Sequence, residues 1–178
     1  MKHELLFSGI GGQGIMLLGE ILCNVVIEKG YQVSFAPFYG QEKRGGRTMC
    51  NVVIADGMES PIISEAELML VMDERSLKDY EHLVAPGGTL LLNSSMIEIE
   101  PQRTDIRVVK VPFYEIAADL GNAKASNMVA LGYVLRYLPF VDREAVEKEV
   151  AKTFSAKAAL AELNVKAVQT GYAYKEQV

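Results

Sequence analysis

A chain of 178 residues that is 49% hydrophobic and 23% charged has the composition of one ordinary globular domain, able to bury a core without disulfides or metals. Its formal net charge of -5 gives no broad attraction to nucleic acid or to an acidic membrane surface, so any anion site has to be local. Two cysteines, Cys23 and Cys50, with no CxxC, exclude a self-contained four-thiolate cluster or a cysteine zinc site and read as buried, reduced thiols. His3 and His82 do not complete a ligand set, and no metal-binding residue is assigned. The opening "MKHELLFSG" runs straight into a strand and a glycine turn, and no apolar run is long enough to span a bilayer. A cytoplasmic protein is expected.

In chain order, residues 4–8 read as a short buried strand. Helical spacing of Ile15, Leu18, Ile21, Leu22, Val25 and Val26 predicts a helix over 14–29, stopped by Gly30. A second strand is expected over 31–36, then a polar loop "PFYGQEKRGGRT", then the β-branched run "MCNVVIAD" ending at the Asp56-Gly57 turn signal. Ser64-Glu65-Ala66-Glu67 has the form of a capping box and predicts a short helical turn. It precedes an all-apolar strand over 68–72 and a helix over 74–84 that Pro86-Gly87-Gly88 ends. Strands follow at 89–93 and at 107–111, the second closed by Pro112, then helices near 113–120, 127–138, 143–153 and 156–175. Continuously apolar strands imply a sheet covered on both faces. The expectation is a three-layer α/β/α sandwich, Rossmann-like, with a mostly parallel sheet and C-terminal helices, as one domain over 1–178. Asn93-Ser94-Ser95 fits the glycosylation pattern, which has no meaning in a cytoplasmic protein.

The chemistry-bearing stretch is "GIGGQG". Gly9, Gly11 and Gly14 satisfy G-x-G-x-x-G between a strand and a helix, with Gly12 and Gln13 inside the turn. Missing side chains there let backbone N–H groups approach a phosphate. A dinucleotide site also needs an acid at the end of the second strand, yet Val33-Ser34-Phe35-Ala36-Pro37 offers none and the first acid beyond it is Glu42. Two readings stay open: a phosphate-binding turn, or a turn whose glycines serve tight packing alone. Gln13 either contacts a ligand or the adjacent loop, or is solvated. The loop after the second strand carries Lys43, Arg44 and Arg47 around Gly45 and Gly46. In an open sheet it is expected on the same rim as the glycine turn, where the cations form an anion crevice or a solvated face partly balanced by Glu42.

GIGGQGI near the N-terminus, YGQEKRGG about thirty residues later and GNAKASNMVALGYVL over 121–135 together resemble the gamma subunit of 2-oxoacid:ferredoxin oxidoreductases. The resemblance implies one component of a complex that decarboxylates a 2-oxo acid on thiamine diphosphate and passes electrons through iron-sulfur clusters to ferredoxin. The acyl group goes to coenzyme A. The chain has no GDG with a downstream Asn-Asn and no cluster cysteines, so thiamine diphosphate, Mg and the clusters are assigned to partner alpha and beta subunits, with a ferredoxin-like delta chain as a further partner. No catalytic residue is assigned to this chain, and activity alone is not expected. The form of the YGQEKRGG loop looks closer to the 2-oxoglutarate group than to the pyruvate or branched-chain groups. In this setting Gly9, Gly11, Gly12, Gln13, Gly14, Lys43, Arg44, Gly45, Gly46 and Arg47 would hold coenzyme A phosphates, or the same loops would dock the catalytic subunits. Self-association of the isolated chain is a further expectation. The alternative is a free-standing NAD- or flavin-binding Rossmann oxidoreductase.

Overall fold

The computed structural model describes residues 1–42 and 44–176. Its sheet contains β1 (Lys2–Ile10), β2 (Gln32–Tyr39), β3 (Arg47–Ala55), β4 (Ala66–Val71), β5 (Val84–Asn93) and β6 (Arg107–Val111), in the order β2-β3-β1-β4-β5-β6. β1 pairs in parallel with β4, with Leu5 opposite Leu68 and Phe7 opposite Leu70, and the parallel run continues through β5 and β6. β3 is the exception. It lies antiparallel to both β1 and β2, because the chain returns from β2 through a hairpin instead of a helical crossover. The expected mostly parallel sheet is present, but the first two strands are separated by the third.

Alternation along the strands decides the two faces. Leu5, Phe7, Cys50, Val52, Ile54 and Leu70 pack against α1 (Ile15–Glu28) and against the four C-terminal helices α3 (Phe113–Asp119), α4 (Ser126–Val134), α5 (Arg143–Thr153) and α6 (Ala158–Ala173). Leu6, Val53, Met69, Val71, Leu90 and Leu92 face the other side, where α2 (Glu74–Tyr80) and the loop residues Ile63 and Ile97 cover them. Each fully buried aliphatic or aromatic side chain contributes roughly 1.5–3 kcal/mol, so the five-helix side carries most of the stability. α4 is buried along its whole length. It crosses α6 at Gly132 and Gly171, where a methyl group on Gly132 would stand 2.8 Å from the Val168 carbonyl carbon and one on Gly171 2.8 Å from that of Val129. No described helix is long and apolar enough to cross a membrane.

Several boundaries differ from expectation for identifiable reasons. β1 is longer than 4–8 because β3 pairs with it from Lys2 to Ile10. β2 runs past Ala36 to Tyr39, and Pro37, which lacks an N–H, is accommodated because β2 is an edge strand. The Ser64 box starts no helical turn: Ala66 is fully buried and already opens β4. The helix expected over 74–84 ends at Tyr80, a 3-10 turn follows over Glu81–Leu83, and Val84 begins β5. Pro86-Gly87-Gly88 therefore lies inside a strand, where the β4–β5 register slips between Ala66 and Leu68. The helix expected over 127–138 begins at Ser126 and tightens into a 3-10 turn over Leu135–Tyr137, and the last helix begins at Ala158 instead of residue 156.

Both cysteines are free and buried. Burial first, and the Glu20 carboxylate second, push the Cys23 thiol up from 9.0 to about 12, and burial raises Cys50 as well. A thiol-disulfide reagent at neutral pH is expected to modify neither thiol in the native chain and both after denaturation. Rapid native modification would show that these sites open freely. Because the folded pKa values are raised, the thiols' contribution to stability is complete below about pH 9 and declines as pH rises towards about 12, where the unfolded chain has shed protons that the folded chain keeps.

Candidate anion-binding crevice

β1 delivers the chain to the rim formed by the carboxyl ends of the parallel strands. There residues 11–14 turn into α1, whose N-cap Gly14 has φ 70° and ψ 30° and offers no side-chain cap. Helix geometry leaves the first-turn N–H groups without intrahelical partners, and they carry the positive end of the dipole. Gln13 is committed to the protein. Its Oε1 accepts from the Ile10 N–H at 2.8 Å and its Nε2 donates to the Met72 carbonyl at 3.2 Å, tying the turn to the end of β4. Asn127 at the start of α4 donates from Nδ2 to the Gly14 carbonyl at 3.1 Å. Gly9 is closely covered, since a methyl group there would lie 2.9 Å from Cγ1 of Ile15.

The glycine turn and the β2–β3 loop do meet on one rim: the Gly11 N–H donates to the Gly46 carbonyl at 2.8 Å. Arg44 and Arg47 border one pocket there but differ in their partners. Lys43 lies outside the described residues. Arg44 is exposed and, with Gly11, Glu42, Gly45, Gly46 and Arg47, lines a pocket of 270 Å³. Arg47 is turned to the α2 side of the sheet, with Nε 2.7 Å from Oδ2 of Asp79, and Glu42 reaches Arg75 of α2 at 3.5 Å. Glu42 borders the Arg44 pocket as well as meeting Arg75, while β3 stands between the end of β2 and the glycine turn, so the strand that would carry a dinucleotide's ribose acid is not the neighbour of β1.

On the α1 side a groove of 490 Å³ runs over the turn, with Gly11, Gly12 and Gly14 on one wall and Tyr39 and Thr48 on the other. Tyr39 and Thr48 are cross-strand partners. The Thr48 hydroxyl has no hydrogen-bond partner among the described residues. Leu17 borders both this groove and a pocket of 220 Å³ lined by Lys124, Asn127, Phe154 and Asn164. Reasoning from sequence did not single out Tyr39, Thr48, Lys124, Asn127 or Asn164. Recognising the hairpin would have supplied the first two; Lys124 and Asn127 stood inside the quoted GNAKASN stretch without a role. Asn164 sits mid-helix with its amide bonded to the Leu160 carbonyl and gave no signal. The ionisable groups of the groove are Glu20 and Tyr39. Backbone donors over an apolar floor suit the binding of an anionic ligand, and neither group is arranged with a nucleophile. Among the described residues no three His, Cys, Asp or Glu side chains gather to hold a metal.

Residues 4–174 match the family described as pyruvate ferredoxin/flavodoxin oxidoreductase. The ketoisovalerate oxidoreductase subunit VorA of Methanothermobacter thermautotrophicus is 31% identical over 92% of this chain, which spans 34% of that relative's length. The 2-oxoglutarate synthase subunit KorC of Methanocaldococcus jannaschii is 28% identical over 97% of this chain and 93% of the relative. Among solved structures, the keto/oxoacid ferredoxin oxidoreductase gamma subunit from Geobacter sulfurreducens superposes with a TM-score of 0.84 at 31% identity, covering 97% of this chain and 95% of that one. Matched along almost its whole length, with its glycine turn, hairpin loop and α4 meeting at one rim, the chain belongs to the pyruvate ferredoxin/flavodoxin oxidoreductase family.

Proposed function

We propose that this chain is the gamma-type subunit of a 2-oxoacid:ferredoxin oxidoreductase and that it holds coenzyme A, the acyl acceptor, in the groove over the glycine turn. The observation that carries the ligand assignment is the Gly11–Gly46 hydrogen bond, which joins the glycine turn before α1 to the loop bearing Arg44. First-turn N–H groups and the Arg44 guanidinium suit a diphosphate. The pocket beside Leu17, with the carboxamides of Asn122, Asn127 and Asn164, suits the amide-bearing arm or the base of the same molecule. The names carried by relatives of nearly full coverage support the subunit reading. Thiamine diphosphate, Mg and iron-sulfur clusters belong on partner alpha, beta and ferredoxin-like delta chains, with ferredoxin as electron acceptor. Relatives are named for ketoisovalerate and for 2-oxoglutarate, and 2-oxoglutarate is the first acid to test.

In the assembled complex Arg44→Ala should raise the KM for coenzyme A roughly ten- to hundredfold, the value of a lost charge-assisted phosphate contact, with 2-oxo acid saturation unchanged. Added salt should narrow the gap between wild type and variant by weakening the contact that the variant lacks. The second reading, in which the exposed loop docks a catalytic subunit, predicts instead that Arg44→Ala weakens co-purification and leaves coenzyme A kinetics unaltered. An intact complex with an unchanged KM would remove Arg44 from the ligand site.

A further inference from the structure

The β2–β3 loop is rich in glycine, and backbone bonds from Gly11 to Gly46 and from Gly40 to Arg47 tie it on the crevice side. It is also held from the opposite face of the sheet. Arg75 and Asp79 are one helical turn apart on α2 and so share a side of that helix. Glu42, on the ascending arm of the loop, meets Arg75, and Arg47, at its far end, meets Asp79. The charges are crossed: acid to base at one point and base to acid at the other, so a loop displaced by a turn of α2 would bring like charges together. The contacting atoms Arg47 Nε and Asp79 Oδ2 are shielded from solvent although the two side chains are 42% and 31% exposed, so screening is reduced at the contact itself and not along the whole pair. α2 also reaches the glycine strand, where the Ser76 hydroxyl donates to the Gly9 carbonyl at 3.4 Å. One short helix thus contacts both the loop and the strand that leads into the glycine turn.

We infer that Arg75 and Asp79 are positioning residues that clamp the β2–β3 loop and fix the distance between Arg44 and the glycine turn, setting the affinity for the phosphates of the acyl acceptor without touching it. The inference rests on the coenzyme A reading of the crevice. Neither residue lines the crevice pockets described above, but their partners Glu42 and Arg47 do, so their substitution acts through the position of the loop and through the charges it presents to the pocket.

The test compares Asp79→Asn, Asp79→Glu and Arg75→Gln. Hydrogen exchange of residues 40–46 is measured in the isolated chain, and KM and kcat for coenzyme A in the assembled complex. The expected result is faster loop exchange in Asp79→Asn and Arg75→Gln, an increase of about three- to tenfold in KM with kcat held, and recovery of both readouts in Asp79→Glu. Arg75 is exposed, so its variant remains informative if Asp79→Asn fails to fold. Unchanged loop exchange in Arg75→Gln and in any folded Asp79→Asn would overturn the clamp whatever the kinetics. Faster exchange with an unchanged KM, while Arg44→Ala still raises it, would overturn the positioning role and leave the coenzyme A site standing. An unchanged KM in the loosened clamp variants and in Arg44→Ala would overturn both.

Discussion

Gly171→Ala should lower the stability of the chain by about 3 kcal/mol, the upper range for forcing volume into a closed contact. At Gly171 the backbone of α6 lies against the Val129 carbonyl of α4, and at Gly132 the backbone of α4 lies against the Val168 carbonyl of α6. The two glycines make one reciprocal crossing. A methyl group at either cannot be absorbed by a rotamer change, because its neighbour is main chain. The helices have to separate, and α4 is buried on every side. Urea unfolding should show the loss as a fall in midpoint at constant slope, and thermal unfolding as a Tm lowered by roughly 6–12 °C. Gly57→Ala is the control: nothing lies within 4 Å of the added methyl, and its effect should stay within about 0.5 kcal/mol. A loss below about 1 kcal/mol for Gly171→Ala would mean that α4 and α6 are free to shift apart, contrary to the packing.

Gly14→Ala should strike stability and ligand binding together. The left-handed backbone at φ 70° costs an L-residue about 1–2 kcal/mol. The new methyl would also lie 2.9 Å from Cγ of Asn127 and closer to its amide nitrogen. Asn127 must move, releasing its bond to the Gly14 carbonyl. The first-turn N–H groups then lose their aim, and the KM for coenzyme A in the complex should rise at least about tenfold. Adding Asn127→Ala separates the causes: the double variant removes the collision and retains the backbone cost. It should recover part of the stability lost in Gly14→Ala and little of the affinity. Full recovery of both would assign the glycine requirement to side-chain crowding alone; no loss in the single variant would show that the turn relaxes without consequence.

The sequence disclosed the fold wherever a local pattern and the tertiary environment asked for the same thing. α1 was legible because its apolar spacing, its stop at Gly30 and its burial against the sheet coincide, and α5 was found at its own boundaries for the same reason. Ser64 and Val84 misled because neighbours distant in sequence overruled local preference: the capping pattern gave way to a strand pairing with β5, and the end of a helix became the start of one. The run that forms β3 was legible as a strand but its antiparallel direction was not, since the apolar pattern suits either direction and only the hairpin decides. At the crevice, glycine spacing located the turn, and the approach of the basic loop to the same rim followed from sheet geometry. The destinations of the side chains did not. Arg44 and Arg47 look alike in sequence, yet parity along β3 sends Arg47 to the face where Asp79 waits. Gln13, which its sequence context leaves open to a ligand, the adjacent loop or solvent, is a brace between β1 and β4. Such roles depend on partners dozens of residues away, which no local motif records.

The bond from Asn127 to Gly14 spans 113 positions, and this has a consequence for the order in which the chain is made. Synthesis proceeds from the N-terminus at about 5–20 residues per second, so β1, the glycine turn, α1 and the hairpin leave the ribosome well before the residue that braces them. For those several seconds the helix N-terminus is formed but not aimed, and the apolar faces that will meet α4 and α6 have nothing against them. On the coenzyme A reading, a nascent chain halted before residue 127 should therefore be unable to retain that ligand and should offer the sheet face that α4 and α6 will cover to chaperones, while one released after α6 should keep that face covered.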